Sequence, residues 1–360
     1  MHSLATRLIQ YGLIVLFAAS SVHADEKVVL GEAVVPDRSD SARSAALPTA
    51  LANALRRLTP ADNPTAKIDT AAVLAENETL LQRFDYAQVT RPTISGIPSI
   101  KLMLRARFYA TPVRELLVRA GLPVWRGGEV APTFWLVDES DDGRRLLEKR
   151  GESALQGFDE ALAARGVRML WSMNDLSDWQ MVESLTRDDA PRALAEAAER
   201  SGADPAVLTL IRQSEEGTDI DWFMRAGEVD HRFSSSGADR DTALSAAVSR
   251  LIDVLAQSHA VRPDTVGSEV SAVDRGPGEY VIWLENLTRA GVYAEAVGLL
   301  QGQSIVASLT PEQATADRVR LRVRITAPLT QLLALLAADG RLILSSVSVD
   351  DADITLRWQD

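Results

Sequence analysis

The 360-residue chain contains no cysteine. That excludes disulfides, thiolate-bound metal, a thiol nucleophile and a lipid anchor on an N-terminal cysteine. Histidine is scarce, with four in all. Two of these precede Ala24, leaving His231 and His259, and no H-x-x-x-H or H-E-x-x-H spacing occurs. A transition-metal site would need carboxylates and lone histidines from separate elements, so neither metal nor cofactor is expected. There is no G-x-S-x-G elbow, and no S-x-x-K stands in a fitting context, so a serine hydrolase is not expected. Positive charge is also in deficit: 38 Lys and Arg face 50 Asp and Glu, a formal net charge of -12. Nucleic acid rewards clustered positive charge and is a poor partner for such a chain. Beyond Asp25 no apolar run reaches membrane-spanning length.

What is present begins with a targeting pattern. Met1 to Arg7 is short and basic, and "LIQYGLIVLFAAS" (Leu8 to Ser20) is an apolar core of signal-peptide length. Val22 and Ala24 occupy the small-residue positions, so residues 1–24 read as a signal peptide cleaved between Ala24 and Asp25. Loss of Arg7 with that segment takes the net charge from -12 to -13. The expected destination is the periplasm, as a protein that is not a lipoprotein. Disulfides are permitted there but none can form, so packed cores must supply the stability.

The periodicities predict an α/β (α+β) chain of three small mixed modules. The first covers residues 25–122: strand "KVVLGEAVV", then an amphipathic helix through "SDSARSAALPTALANALRRLTP" with Leu47, Leu51, Leu55 and Leu58 on one face. Ser39, Asp40 or Ser41 can cap it, and Pro48 should kink it or delay its start. A second helical pattern spans Ala71 to Phe84. A strand follows over Ser99 to Tyr109, then a helix with Thr111 as N-cap and Gly121 past its end. Residues 123–131 read as a linker. Gly127 and Gly128 lie between a helix and a strand, the reverse of the order a phosphate loop needs. The middle module, 132–261, alternates strands ("TFWLVDE", "VRMLWSM", "AVLTLIRQ", "DIDWFMRAG") with helices ending at Gly166, Gly202 and near His259. Modules one and two each carry an Ala-rich, Leu-spaced helix, a shared local solution rather than a repeat. After a second linker, 262–278, residues 279–360 give βαββαβ plus a last strand, the order of a ferredoxin-like unit.

Few residues suggest chemistry. In "DRVRLRVRIT", Arg318, Arg320, Arg322 and Arg324 share one parity and Val319, Leu321, Val323 and Ile325 the other. Such a row can fork onto phosphates or carboxylates. It can equally be a solvated sheet face neutralised by Asp350, Asp351 and Asp353. Trp125, in the first linker, reads as an inter-domain packing anchor or an exposed partner hot spot. Asp175 and Asp178, flanked by Trp171 and Trp179, offer a carboxylate pair for glycan chemistry, or a turn and helix cap. Asp230 and His231 are adjacent and would point to opposite faces of a strand. His259 sits at a helix C-terminus, where positive charge is favoured.

The stretches "ARSAALPTALANALRRLTP", "AGLPVWRGGEVAPTFWLVDE", "ERSGADPAVLTLIRQ" and "VIWLENLTRAGVYAEAVGLL" together resemble the bacterial family called domain of unknown function 2066. The chain departs from that pattern at Thr59-Pro60 and at Ser201. The resemblance implies an exported protein without an assigned activity, and it transfers no catalytic residue. The combined expectation is a non-enzymatic accessory or protein-interaction protein of the cell envelope, partnered by another envelope protein. The alternatives are a binding module for an anionic envelope component through the arginine row, and a carboxylate enzyme acting on glycans.

Overall fold

A computed structural model describes residues 28–92, 98–126, 130–148, 155–263, 274–315, 317–345 and 352–359. The segment read as a signal peptide, with Ala24 and Asp25, the Gly127-Gly128 pair, and Asp350 and Asp351 lie outside these residues. The architecture is mixed α/β, with strands and helices alternating along the chain.

Strand β1 (Val28–Val35) leads into helix α1 (Asp40–Leu58). Ser39 caps α1 by accepting from the Ala42 amide. The helix starts at Asp40 and continues through Pro48, so the expected late start does not occur. Interior proline costs about 3 kcal/mol. Burial of Leu51, Leu55 and Leu58 with Ala46, Ala50 and Ala54 offsets it. The close seat of α1 on β1 requires Gly31, whose Cβ would stand 2.0 Å from the Ala50 carbonyl oxygen.

The helical pattern over Ala71 to Phe84 is corrected. Helix α2 (Thr70–Glu76) ends before Asn77, and strand β2 (Leu81–Pro92) begins four residues later. Pairing with strand β3 (Pro98–Tyr109) overrides local helical periodicity there. Helix α3 (Ala110–Arg119) follows directly, one residue ahead of the expected Thr111 cap, and stops before Gly121 at φ +63°. The sheet order is β1-β3-β2.

Strand β4 (Val124–Trp125) pairs with β11 (Ala260–Val261) and joins two cores. Val124 belongs to the core shared by the first and third modules, and Trp125 to that of the middle module. Neighbouring residues of a strand face opposite ways, which lets one dipeptide serve both.

The middle sheet holds β5 (Thr133–Ser140), β6 (Gly143–Leu146), β7 (Leu170–Trp171), β8 (Ala206–Ser214), β9 (Gly217–Ala226) and β10 (Val229–Gly237) in the order β10-β9-β8-β5-β6. The strand expected over "VRMLWSM" shrinks to β7, because β6 pairs with Val137 to Ser140 of β5 and leaves only its start free. Helices α4 (Gln156–Ala163) and α7 (Arg240–His259) pack on one face. Helices α5 (Leu176–Ser184) and α6 (Ala190–Ser201) contribute to a core with Trp135 and Phe223 on the other.

The third module runs β12 (Gly278–Glu285), α8 (Ala290–Gln301), β13 (Val306–Ala314), β14 (Val319–Ile325), α9 (Leu329–Asp339), β15 (Leu342–Leu344) and β16 (Ile354–Trp358). Its sheet order is β13-β14-β12-β16-β15. The first three strands follow the ferredoxin-like arrangement. The final strand then inserts beside β12, parallel to it, and moves β15 to the edge. Burial explains the choice: Ile354, Thr355, Leu356 and Trp358 are buried, whereas β15 is short and buries only Leu342. The segment "TPEQATAD" belongs largely to β13, where Pro311 sits beside a register shift on an edge strand.

The order β1-α1-β2-β3-α3 with sheet β1-β3-β2 recurs as β12-α8-β13-β14-α9 with sheet β12-β14-β13. The topological repeat therefore relates the first and third modules. Their second helices, α3 and α9, pack together, and the two modules share one continuous core.

Asp274 closes the N-terminus of α9, which has no capping side chain of its own. Its carboxylate accepts from the amides of Leu329 (3.1 Å), Thr330 (3.0 Å) and Gly276 (2.9 Å). Burial alone would raise the carboxyl, but these hydrogen bonds outweigh it and hold the group at about 2. A lowered carboxyl value gives stability that is complete above the unfolded value near 3.8 and is lost as pH falls towards 2. Asp274→Asn is expected to cost about 1 kcal/mol near neutral pH. In urea unfolding at matched pH, the gap to the parent closes as pH approaches about 2.

Candidate functional site

The arginine row lies on the sheet face opposite the buried Val319, Leu321, Val323 and Ile325. Among the described residues it is balanced by glutamates, while Asp350 and Asp351 of "VDDAD" lie outside the described residues. Arg324 pairs with Glu279 on β12. Arg322 meets Glu312 of β13 at 2.5 Å and Glu279 at 3.9 Å. Arg320 meets Glu312 at 3.2 Å, and Arg318 meets Glu285 at 3.6 Å. Arg324 and Glu279 are direct cross-strand partners, so the pleat brings them together without adjustment. Asp353, the described member of the aspartate group, is bound instead to Arg275 (2.7 Å) and the Val281 amide (2.7 Å). The row carries little charge of its own, and surface pairs of this kind contribute little stability.

Trp125 is wholly buried, and its indole N–H donates to the Arg165 carbonyl at 2.9 Å. A side chain with no exposed surface cannot serve as a hot spot on the free surface. It packs instead at the junction of the first and middle modules. There Arg165 meets Asp62 at 2.7 Å, and Thr59 donates to the Pro123 carbonyl at 2.6 Å.

The carboxylates near Trp171 and Trp179 are both committed. Asp175 caps α5 by accepting from the Asp178 amide at 2.9 Å. Asp178 is buried and accepts from the Trp135 indole (3.0 Å), Arg200 (2.6 Å) and the Asn174 amide (3.0 Å). Asp178 has no free face for a glycosidic oxygen or a water, and Asp175, half-buried, spends one oxygen on the cap. Asp230 pairs with Arg225 across the β10–β9 ladder, while its neighbour His231 faces the other way, opposite Met224. His259 ends α7 and contacts Ser258 through Nδ1 at 2.7 Å. Burial pushes its imidazole below the ordinary value, with Asp204 opposing and Arg126 reinforcing the shift. Desolvation therefore outweighs the helix-terminus effect, and the ring favours its neutral form. Among the described residues no group of three or more His, Asp or Glu is placed to hold a metal.

Two features escaped sequence reasoning. Leu170, Met173, Leu176 and Trp179 expose 36%, 72%, 72% and 39% of their surface around the start of α5. Leu176 and Trp179 lie three residues apart and share one helix face. In sequence they look like alternating members of a strand and helix core. The second is an apolar cavity of about 310 Å³ between the β4–β11 ribbon and the third module. Its walls come from residues more than 200 positions apart, which no local pattern reveals.

A family model described as a domain of unknown function (DUF8605) matches residues 26–126. It overturns the resemblance to domain of unknown function 2066: the matching family is a different one, and the match ends at Arg126, directly after β4. No curated protein matches the chain significantly. Among solved structures, a competence-damaged protein (CinA) superfamily protein from Escherichia coli aligns with 41% of this chain and 86% of its own. The identity is 13% and the TM-score 0.22, a likeness too low to carry an argument about fold or activity. Among the described residues no helix is long and apolar enough to cross a membrane.

Proposed function

We propose that this chain is an exported, non-enzymatic accessory protein of the bacterial cell envelope that acts by binding another protein in the periplasm. The observation that carries the reading is the exposed apolar group Leu170, Met173, Leu176 and Trp179. Large apolar side chains left exposed within ten residues of one another suit an interaction surface, and Trp is enriched among binding hot spots. The N-terminal pattern supports export, with a basic start, a short apolar core and small residues before Asp25. The use of Asp175 as a cap and of Asp178 in a buried ion pair favours this reading over glycan chemistry.

The test is a photo-crosslinking side chain at Leu176 in exporting cells. A discrete adduct is expected on a chain that begins at Asp25. The same probe at exposed Glu216 should give none, and Met173→Asp with Trp179→Asp should abolish the adduct. Absence of a discrete adduct, or retention of the first 24 residues in the cytoplasm, overturns the proposal.

A further inference from the structure

We propose that the outer face of the β1-β3-β2 sheet docks on the surface of a bilayer that carries anionic phospholipid. This goes beyond the protein-interaction reading, uses a different surface and does not depend on it.

Charge is unevenly divided along the chain. Residues 28–126 hold 13 Lys and Arg against 9 Asp and Glu, whereas residues 127–273 hold 15 against 28. The basic stretch coincides with the unit that the family model matches, up to its last residue, Arg126.

The sheet then sorts part of this charge onto one side. Val29, Ala33 and Val35 of β1, with Leu104, Ala106 and Phe108 of β3, are buried in the core to which α1 belongs. Alternate residues of a strand point to opposite faces. Val28 and Val34 of β1, and Lys101, Arg105 and Arg107 of β3, therefore lie on the other face. The register adds Arg83 of β2, directly opposite Arg107. Val34 is 57% exposed and Val28 40%, and Arg83 and Lys101 are exposed as well. Two carboxylates answer part of the charge: Glu32 meets Arg105 at 2.9 Å, and Asp85 pairs with Arg107. Arg57, from α1, also reaches Glu32 at 3.7 Å. Four cations against two carboxylates leave the face positive.

Screening decides how that local excess compares with the net charge of -12. At physiological salt the Debye length is about 8 Å. The face points away from α1, a helix about 10 Å across. A surface in contact with the face therefore senses the local cations more than the acidic residues behind the helix.

Anionic headgroups are the partner that this pattern fits. They diffuse in the plane of the bilayer and meet cations at any spacing, so no shaped pocket is needed. Val28 and Val34 stand six residues apart on β1, or about 20 Å, on the same face as the cations. Aliphatic side chains beside Lys and Arg suit the boundary between headgroups and acyl chains. The same bilayer repels the acidic middle module, which orients the chain with its first module towards the lipid.

The test is co-sedimentation of the purified chain with extruded vesicles. The chain used begins at Asp25, so that the apolar run over residues 8–20 contributes nothing. One vesicle is phosphatidylcholine alone, and the other contains about 30% phosphatidylglycerol. At about 0.1 M salt the anionic vesicle is expected to bind about tenfold more tightly or better. Raising the salt to about 1 M shortens the Debye length from about 10 Å to about 3 Å and should remove that preference. Arg83→Glu with Lys101→Glu should remove it too, and Val34→Asp should weaken binding to the anionic vesicle severalfold. Arg192→Glu with Arg250→Glu makes the same change in net charge on exposed positions of α6 and α7 and should keep the preference. Circular dichroism checks the fold of each variant, and Arg83→Gln with Lys101→Gln replaces the glutamate pair if that pair unfolds. Equal binding to the two vesicles, absence of binding at about 1 mM lipid, or equal losses in the two double variants overturns the proposal. So does capture by immobilised poly-glutamate without capture by vesicles, the result expected of a face that serves an acidic protein. Failure here leaves the crosslink at Leu176 and the export test unaffected, and failure of those leaves this sedimentation readable.

Discussion

Replacing Asp339 with alanine is expected to lower the stability of the joined first and third modules by about 3–5 kcal/mol. Asp339 lies at the C-terminal end of α9, 3.7 Å from Arg114 on α3. The two side chains are only 8% and 7% exposed. Arg341 reaches the same carboxylate at 2.7 Å. Burial pushes the Arg114 guanidinium below its ordinary value, with Asp339 opposing that shift and Arg341 adding to it. Removing Asp339 leaves a buried cation without its counter-charge, the costly way to break such a pair. The neighbouring contact persists, with Glu115 accepting from the Ser304 amide at 2.9 Å. Urea unfolding followed by circular dichroism should show the loss. Arg114→Met combined with Asp339→Leu should recover much of it, because an apolar pair leaves no buried charge. If Asp339→Ala unfolds at the parent's urea midpoint, the junction is not the buried ionic contact described.

Gly166→Ala is the second large effect, expected at about 2–5 kcal/mol. The residue stands at φ +73°, a conformation that costs an L-residue about 1–2 kcal/mol. A Cβ there would also lie 1.8 Å from the Arg57 carbonyl oxygen and 3.0 Å from Trp125 Cδ1. Overpacking of that kind adds about 1–3 kcal/mol. The clash falls where the middle module meets the C-terminal turn of α1, so the two modules must separate to admit a methyl group. The tryptophan emission of the variant should shift as Trp125 is exposed, and proteolysis should become faster around Thr59 to Asp62. Gly202→Ala is the control. It shares the left-handed backbone at φ +66°, but nothing stands within 4 Å of its Cβ, so it should lose the strain alone. Equal losses in both variants would mean that the packing against Arg57 contributes nothing.

The candidate sites were unevenly legible. The arginine alternation in 318–324 located β14 and its wet face. It did not identify Glu279 and Glu312 as partners, since these sit on neighbouring strands whose register is a long-range property. Asp175 was readable as a cap because capping is local. The burial of Asp178 against Arg200 was not, because it depends on how α5 and α6 meet. Trp125 stood out by its type and position, but its indole partner at Arg165 comes from 40 residues away. The exposed Met173 and Leu176 were invisible, since apolar residues in sequence read as core until a structure shows that they stand exposed among the described residues.

By itself the sequence determined the absence of thiol chemistry, the acidic balance, the apolar run over residues 8–20, and most helices and strands with their caps. Those properties reside in composition or within a few residues along the chain, where periodicity and capping act. It misplaced β2, where pairing with β3 outweighed helical spacing. Only the tertiary structure decided that the first and third modules repeat one topology and share a core, that β16 enters the middle of its sheet, and that β4 serves two cores at once. The order of strands in a sheet, the partner of a charge and the seat of a buried indole depend on contacts between distant segments. Their energies are decided by which surfaces are buried together, and no local pattern of residues carries that information.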